Sequence, residues 1–481
     1  MREAYNVERK TWNVRHIPHH TERLFQILFP SIQSVQMSEI PPTSNGAATP
    51  DLASRIQDRT AGPGRLLTLR TAVDDIVSWR GSFVANPDPA AGDPLLQKLT
   101  VSLLDKGTEQ RDRFELARVL EECGAKLDLS SDGLFVEVSG RALVDDVPRV
   151  MDVMAEMLRA PAFDPEEFEK ARAQVAADIQ RRMDKTSAQA STALSQRLFP
   201  DGHPNHRPAP QTALDRLQRL SVEDVRDYHA THVGSAEWTL AVVGDLQHDT
   251  VTTVVAEALD GWAPHDAPAA YAPDAAPADP GRSEVPMPDK SNVDVRLGHA
   301  VPIRRDHDDY SALYVGNYIL GGDFAARLMS TIRDEKGLTY NIRSSLSGVT
   351  TRYAGSWQTS ITLSHDAVDE GIAATKEVLR RFVEEGATED ELDAKKTTIT
   401  GSYTVGLATT ERLAQSILTN AERGFDVSYL DEFPEEIRAL TLDDINDAIA
   451  RYFDPDALHE ALAGTQPEPV GAGEGPIRRP E

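Results

Sequence analysis

The chain has 481 residues, 40% of them hydrophobic, and is therefore long enough for roughly two to four domains with sizeable cores. Its formal net charge of −27 argues against binding to nucleic acid or to an anionic membrane surface, because both are polyanions. The single cysteine, Cys123, excludes an internal disulfide and a cysteine-based zinc site. No run of about eighteen apolar residues occurs, so we expect no transmembrane helix and, without a convincing signal peptide, a cytoplasmic protein.

Three stretches differ in composition from the rest of the chain. Residues 1–60 combine a basic segment that contains the cluster HIPHH with a Ser/Pro/Gly-rich segment that begins at Met37. We expect a flexible extension or a start site assigned too far upstream, and a metal site at these histidines is the less favoured interpretation. Residues 263–290 are rich in Pro, Ala and Asp without periodicity, which predicts a linker, and residues 466–481 are expected to be a disordered tail for the same reason.

Segments on the two sides of the linker resemble each other. Leu220–Asp227 (LSVEDVRD) matches Leu440–Asp447 (LTLDDIND), each with a Ser/Thr N-cap, acidic residues in the first turn and an apolar stripe. Upstream, Phe163–Ala171 matches Ala387–Lys395 as the start of a long helix. The two offsets, 220 and 224 residues, differ only by a small indel. A repeat of this length is too long for a solenoid unit and predicts two homologous domains in tandem.

The predicted elements follow the same order in the two domains, which we place at 61–262 and 291–465. In the first domain, hydrophobic periodicity predicts a strand at 77–83, helices at 93–105 and 114–123, strands at 125–131 and 134–140, and helices at 143–159 and 165–197. In the second, it predicts a strand at 293–300, helices at 308–320 and 324–336, strands at 338–348 and 355–364, and helices at 368–385 and 389–423. This order predicts an α+β fold, with helices packed on an antiparallel-rich sheet in each domain.

Four segments carry a resemblance to a known family. KGTEQRDRFELARVLEECGAKLDLSSD (Lys106–Asp132), HPNHRP (His203–Pro208) and TLAVVGD (Thr239–Asp245) resemble the N-terminal domain of the inverzincin zinc peptidases. That family includes pitrilysin, insulin-degrading enzyme and mitochondrial processing peptidase. LGGDFAARLMSTIRDEKGLTYNI (Leu320–Ile342) resembles the family's C-terminal domain. The similarity covers about residues 60–465 and implies the processing-peptidase-like metallopeptidase fold.

The zinc-binding residues of the family are missing from this sequence. The family's zinc helix carries H-x-x-E-H before a K-G-T turn, and a further glutamate lies about seventy-six residues on. Counted back from the K-G-T turn at 106–108, the two histidine positions are occupied by Lys98 and Ser102, and the glutamate position by Val101. The distal glutamate falls near Asp178, which is expected to be an ordinary helix carboxylate. Ammonium, hydroxyl and isopropyl groups do not replace imidazole and carboxylate, so no metal is expected in this chain.

No alternative register restores the site. No histidine lies between His20 and His203, and H-E-x-x-H does not occur elsewhere. Where active relatives carry Asn-Ala on the edge strand that receives substrate, this chain has Asp128 and Leu129. An anionic Asp128 would alter the addition of a substrate strand.

A second set of family residues is retained. Arg333 and Tyr340 match an arginine/tyrosine pair that the family's C-terminal domains contribute to the active site. The resemblance implies that Arg333 holds a substrate carbonyl or carboxylate and that Tyr340 donates to the oxyanion. From residue types alone, a helix-terminal arginine and a packed strand tyrosine remain the simpler interpretation. Gly321 and Gly322 lie where relatives have a small-residue loop near substrate, although such a pair also suits a turn.

Other candidates favour structural roles. His203 beside proline, and His229 and His232 on one helix, lack a third ligand in the sequence pattern, and we expect them to pack. No G-x-S-x-G elbow and no G-x-x-x-x-G-K-[ST] loop is present, so serine hydrolase and P-loop functions have no support.

The resemblance therefore predicts a non-zinc-binding subunit of a heterodimeric zinc metalloendopeptidase. A paralogous partner with H-x-x-E-H would supply zinc, this chain would supply Arg333 and Tyr340, and the substrate would be an unfolded peptide. The isolated chain is expected to be inactive and could form a homodimer. The alternative is a catalytically inactive structural or peptide-binding protein of the same fold, such as the core subunits of the respiratory bc1 complex.

Overall fold

The computed structural model describes residues 51–61, 64–85, 92–234, 237–262 and 279–465, all of which belong to one compact unit. The predicted extension up to residue 50, with its histidine cluster and Met37, lies outside the described residues. So do residues 263–278 of the predicted linker and the predicted tail.

A six-stranded sheet forms the base of the first domain. Its strands, in chain order, are Ile56–Ala61 (β1), Gly64–Arg70 (β2), Ile76–Val84 (β3), Lys126–Ser131 (β4), Phe135–Leu143 (β5) and Trp238–Gly244 (β6). Their order in the sheet is β1-β2-β6-β3-β5-β4, and only β2 and β6 run parallel to each other. β4 is an edge strand with no fully buried residue. β1 falls within the predicted extension and pairs with β2 along its whole length, so the domain begins before residue 61.

A five-stranded sheet forms the base of the second domain. Its strands are Arg282–Pro286 (β7), Val293–Val301 (β8), Ile342–Ser347 (β9), Gly355–Leu363 (β10) and His459–Gly464 (β11). They lie in the order β7-β11-β8-β10-β9, and only β7 and β11 are parallel. β7 falls within the stretch predicted to be a linker. Its backbone pairs with β11, so this part of the stretch belongs to the second sheet.

Helices pack on both sheets. Those of the first domain are Pro94–Val101 (α1), Arg113–Glu122 (α2), Val147–Arg159 (α3), Pro165–Met183 (α4), Thr186–Leu198 (α5), Pro210–Leu217 (α6), Val222–His232 (α7) and His248–Leu259 (α8). Those of the second are Tyr310–Gly321 (α9), a π-helix at Met329–Glu335, Val368–Glu385 (α10), Glu389–Gly406 (α11), Thr410–Glu422 (α12), Tyr429–Ala439 (α13) and Leu442–Tyr452 (α14). The predicted α+β fold with two tandem homologous domains is confirmed. Among the described helices, none has the length and hydrophobicity that a bilayer crossing requires.

The helix starts predicted from the repeat are confirmed in atomic detail. Ser221 caps α7 and Thr441 caps α14, and each accepts a hydrogen bond from the third amide of its helix. Asp224 and Asp444 complete the two capping boxes by accepting from the backbone and hydroxyl of the cap residue. These hydrogen bonds lower the pKa of both carboxyl groups. Equivalent local chemistry thus starts equivalent helices in the two domains.

Two predicted helices are shorter than expected. The helix predicted at 93–105 ends at Val101 with Ser102 as its C-cap, because from Leu103 onward the amides bond to carbonyls three residues back and tighten the chain into turns. In the stretch predicted as helix 324–336, the π-helix occupies only Met329–Glu335. Tyr340, predicted to lie in a strand, precedes β9 by two residues.

The two longest predicted helices are each broken in two. The stretch 165–197 forms α4 and α5, and the stretch 389–423 forms α11 and α12. In each case the second helix packs on the sheet of the other domain. α5 buries Leu194 and Leu198 against Ala461 of β11. α12 buries an apolar face against β2 and β6, through the residues Leu413, Ala414, Ile417 and Leu418.

A polar contact accompanies each of these crossings. Thr186, the first residue of α5, donates its hydroxyl to Asp294 Oδ2 of β8 at 2.6 Å. Thr410, the first residue of α12, shares a 2.8 Å hydrogen bond with Ser78 of β3. β3 and β8 are the equivalent strands of the two sheets. In each domain, therefore, the threonine that begins the crossing helix bonds to the equivalent strand of the other domain.

The α12 crossing should contribute measurably to stability. We expect Ile417→Ala to lower the free energy of unfolding by about 2–5 kcal/mol, because the side chain is buried against the first sheet. Denaturant titration followed by circular dichroism measures the change. Val405→Ala, at a side chain that is 74% exposed, is the matched control and should change stability by under about 0.5 kcal/mol. Equal effects of the two substitutions would contradict the role given to α12.

The other end of α12 carries a pH-dependent group. Burial is the main cause that raises the pKa of Glu422 to about 7, and the charges of Glu137 and Asp132 add to the shift. The Ser82 hydroxyl and Arg423 oppose it. Between the usual pKa of 4.5 and about 7 the folded state binds the extra proton, so stability should fall as pH rises through this window and level off above it. One proton gives a slope of at most ~1.4 kcal/mol per pH unit.

Glu422→Gln tests this expectation. Thermal unfolding followed from pH 5 to pH 8 should show a smaller loss of stability in the variant, because the amide remains neutral throughout. A variant with the same pH dependence as the original chain would show that Glu422 is ionised in the folded state.

Candidate functional site

Three of the four positions predicted to be a degenerate zinc site lie on α1 or at its end. Asp93 caps it and accepts hydrogen bonds from the amides of Leu95 and Leu96 at 3.1 and 3.0 Å, and Pro94 occupies its first turn. Lys98 is half-exposed on this helix. The cap at Asp93 and the turn after Val101 therefore fix the position of the Lys98 backbone.

The structure brings together two of the four positions predicted to be a degenerate zinc site. Lys98 Nζ on α1 lies 4.0 Å from Asp178 Oδ2 on α4. Asp178 also accepts a 3.2 Å hydrogen bond from Gln174 and pairs with Arg181 one turn along the helix. The carboxylate that would complete a zinc site is thus balanced by two cationic side chains.

The side chains at the other two positions, Val101 and Ser102, make contacts within the protein. Val101 is 3% exposed and packs in the core of the first domain. The Ser102 hydroxyl donates to the Leu99 carbonyl at 2.7 Å. Within the described ranges, no cluster of three or more His, Cys, Asp or Glu side chains could hold a metal ion. Of these four residues only Asp178 offers a zinc ligand, and one carboxylate does not make a site that needs about three imidazole or anionic ligands.

The histidines considered above make packing contacts. His203 is buried, stacks on Phe199 with ring centroids 4.6 Å apart, and accepts from the Asn205 amide. The ring of His229 lies 2.8 Å from the Leu158 carbonyl oxygen, and His232 stacks on Tyr228. Asp128 lies on the exposed edge strand β4, where the resemblance placed it.

A cavity of about 940 Å³ adjoins Lys98. Its wall comes from α1, α4, α5 and the loop 201–208, and it includes Tyr353 from the second domain. Sequence analysis missed two arginines in this wall, Arg182 and Arg207. Burial and the neighbouring charge of Arg182 lower the pKa of Arg207. The available signals were weak: Arg182 follows Asp178 by one helical turn, and Arg207 lies within HPNHRP.

The segment that carries Arg333 and Tyr340 lies on the surface of the second domain. Arg333 occupies the last turn of the π-helix, which is followed by Gly337 at φ +64°. The Arg333 guanidinium lies 5.7 Å from the ring centroid of Phe324 and 3.8 Å from an oxygen of Asp334. Tyr340 is 94% exposed and Phe324 is 65% exposed. In the part of the chain that is described, no hydrogen bond joins Arg333 to Tyr340.

Packing accounts for the two candidate glycines. A Cβ on Gly321 would lie 2.5 Å from Ser344 Oγ, so this residue allows α9 to approach β9 closely. A Cβ on Gly322 would lie 2.7 Å from the backbone of Tyr318. Their predicted contact with substrate remains a prediction.

Two family models match the chain. "Insulinase (Peptidase family M16)" matches residues 99–207, and "Peptidase M16 inactive domain" matches residues 219–399. Together the matches span more than half of the chain.

Two curated relatives are similar along most of the chain, and a third along part of it. The non-peptidase homolog YmxG of Helicobacter pylori is 24% identical over 376 residues, which are 77% of this chain and 84% of that protein. An uncharacterized zinc protease of Streptomyces coelicolor is 24% identical over 406 residues, 82% of this chain and 86% of that protein. The human mitochondrial-processing peptidase subunit beta is 24% identical over 152 residues, 30% of this chain and 29% of that protein.

Solved structures share the fold. A peptidase M16 inactive domain from Pseudomonas fluorescens has a TM-score of 0.77 at 22% identity, covering 85% of this chain and 98% of that one. The periplasmic protease PqqL from Escherichia coli has a TM-score of 0.71 at 16% identity, covering 91% of this chain and 48% of that one. At these identities the likeness concerns the fold alone.

Metal analysis tests the state of the four degenerate positions. We expect the purified chain to contain far less than one zinc per molecule, because Lys98, Val101 and Ser102 supply no ligand. The variant Lys98→His/Ser102→His/Asp178→Glu should gain close to one zinc, measured by mass spectrometry after dialysis. Asp178→Glu alone is the control and should gain none. Stoichiometric zinc in the unaltered chain would overturn this view of the site.

Proposed function

This chain belongs to the insulinase family of peptidases, family M16, and we propose that it is the non-zinc-binding subunit of a heterodimeric zinc metalloendopeptidase. Its partner would be a paralogous chain with an intact H-x-x-E-H, and the substrate would be an unfolded peptide. A cytoplasmic site of action is part of the proposal, on the basis of composition. The observation that carries it is the exposure of Tyr340 and of the Arg333–Phe324 contact on the second domain, while the positions predicted for zinc carry a Lys98–Asp178 pair.

The exposed segment has the chemistry of an interface and of a site. Tyrosine, phenylalanine and arginine are enriched where protein surfaces meet, and a side chain that is 94% exposed has most of its surface available to a partner. A tyrosine hydroxyl or a guanidinium stabilises developing charge far better when water is excluded. Docking a partner over Arg333 and Tyr340 would provide that exclusion.

Each side chain has a defined part in the proposed complex. When bound to the partner, zinc would supply a water activated at neutral pH. Arg333, with its planar fork of donors, would orient a substrate carbonyl or carboxylate. Tyr340, on the irregular segment before β9, would donate its hydroxyl to the substrate oxyanion.

A second function has specific support. A relative of similar length bears the name non-peptidase homolog, which is compatible with a catalytically inactive structural or peptide-binding protein. In that case Arg333 and Tyr340 would contribute to binding a partner or peptide, and no zinc-dependent cleavage would depend on them.

The test is to co-purify this chain with a paralogue that carries H-x-x-E-H and to assay cleavage of an unfolded peptide pool. We expect Arg333→Ala/Tyr340→Phe to lower kcat on the order of 10²- to 10³-fold, because donors to the developing oxyanion are lost. Arg438→Ala, at an exposed arginine on α13 that pairs with Glu435, is the matched control. The zinc content of the complex should be the same in all variants.

The outcomes separate the two functions. An active complex that needs Arg333 and Tyr340 supports the subunit role. Failure of the two chains to associate, or cleavage at the original rate by the double variant, would reject it in favour of the inactive protein.

A further inference from the structure

The cavity beside α1 is cationic in a strongly acidic protein. The chain carries a net charge of −27, yet the cavity wall contains four cationic side chains, namely Lys98, Arg182, Arg207 and Arg216. Lys98 lies 4.0 Å from Asp178, and the positive charge that remains in the wall attracts anions to the cavity.

The carboxylates of the wall have partners of their own. Asp93 pairs with Arg216 at 2.9 Å and accepts the first amides of α1. Asp132 accepts two backbone amides of the following turn, at 2.8 and 2.7 Å. Asp201 extends into solvent and lies 3.8 Å from His206. These groups therefore account for Arg216 but not for the other arginines.

Arg182 and Arg207 pair with no carboxylate in the described part of the chain. Both residues line the cavity, and both side chains are exposed to solvent. Partial burial and the charge of Arg182 lower the pKa of Arg207, as repulsion between two neighbouring guanidinium groups does. An anion bound between them would remove that repulsion.

The backbone holds Arg207 in place without using its side chain. Its amide donates to Ser195 Oγ at 2.7 Å, and its carbonyl accepts from Gln196 Nε2 at 3.0 Å. Both partners belong to α5, so the loop is fixed on a helix. The backbone of Arg207 is thus fixed beside the cavity before any ligand binds.

The shape and remaining chemistry of the cavity suit part of a peptide. Its volume of about 940 Å³ is far larger than one small ion and falls in the range of ligand pockets. Its wall also includes Val175 and Ile179 of α4, and Tyr353. A ligand with a carboxylate next to an apolar side chain would match both parts of this wall.

We propose that Arg182 and Arg207 form a binding site for a peptide carboxylate, which belongs either to the C-terminus or to an acidic side chain. A guanidinium binds a carboxylate through two parallel hydrogen bonds, and the open cavity gives access to it. The site goes beyond the proposed subunit role, since it lies in the first domain and requires neither zinc nor a partner; it takes from that role only the expectation of a peptide.

The experiment uses this chain alone with three pools of ten-residue peptides made of Ala, Gly, Ser, Leu and Tyr. One pool has a free C-terminus, the second has an amidated C-terminus, and the third is amidated with one internal Glu. All carry an uncharged fluorophore at the N-terminus, and anisotropy gives the dissociation constants. We expect at least one carboxylate-bearing pool to bind about tenfold more tightly than the second pool, as a charge-assisted contact would give.

Variants test whether the difference in affinity between the carboxylate-bearing and amidated pools depends on the two arginines. Arg182→Gln/Arg207→Gln should reduce the difference to about twofold or less, because the fork contacts are lost. The control Arg380→Gln/Arg381→Gln changes net charge equally at arginines of α10 that pair with glutamates of their own helix, and should retain the difference. Circular dichroism verifies that each variant is folded.

Each result decides the proposal. Preference for the first pool alone identifies a terminal carboxylate, preference for the third alone an acidic side chain, and preference for both a general carboxylate site. Equal or undetectable binding of all pools by the unaltered chain, or a difference that survives Arg182→Gln/Arg207→Gln, overturns the proposal. Neither result bears on whether Arg333 and Tyr340 serve a partner's zinc site.

Discussion

Two helices, α5 and α12, each bury their apolar face against the sheet of the other domain. Burial of a leucine or isoleucine contributes about 1.5–3 kcal/mol, against about 1 kcal/mol for a typical hydrogen bond. Leu194 and Leu198 on one helix, and Leu413, Ile417 and Leu418 on the other, therefore dominate the attachment of the domains. The hydrogen bonds of Thr186 and Thr410 add direction and fix where along the central strands each helix begins.

The packing of α5 on the second sheet also determines which residues line the cavity. α4 leads directly into α5, so the position of α5 on the second sheet sets the end of α4 that carries Asp178 and Arg182. The loop that follows α5 is bonded back to that helix and presents Arg207. Tyr353 of the second domain completes the wall. Residues of both domains thus meet beside α1, the helix that the sequence predicts to carry the degenerate zinc positions.

Charge balance gives a physical account of the altered zinc positions. In a metal site a divalent ion offsets the charge of the distal carboxylate, whereas here Lys98 and Arg181 do so. Because Lys98 is half-exposed, its pair with Asp178 stabilises the fold by no more than about 1 kcal/mol. Of the two residues only Lys98 lines the cavity, and its pairing with Asp178 leaves the positive charge of the wall concentrated at Arg182 and Arg207.

Local chemistry in the sequence determined much of the fold. The repeat, the caps at Ser221 and Thr441, the alternation of the strands and the loss of H-x-x-E-H all follow from residues a few positions apart, where side-chain and backbone geometry act directly. The spacing of the family motif also assigned Lys98 and Asp178 to one degenerate site, but the sequence did not predict that they form an ion pair. Only the tertiary structure decided that 165–197 and 389–423 break into two helices, since the opposite sheet, and not local propensity, redirects the chain. Arg182 and Arg207 became neighbours for the same reason: the charge of one acts on the other only after α4, α5 and the loop 201–208 have packed around a common space.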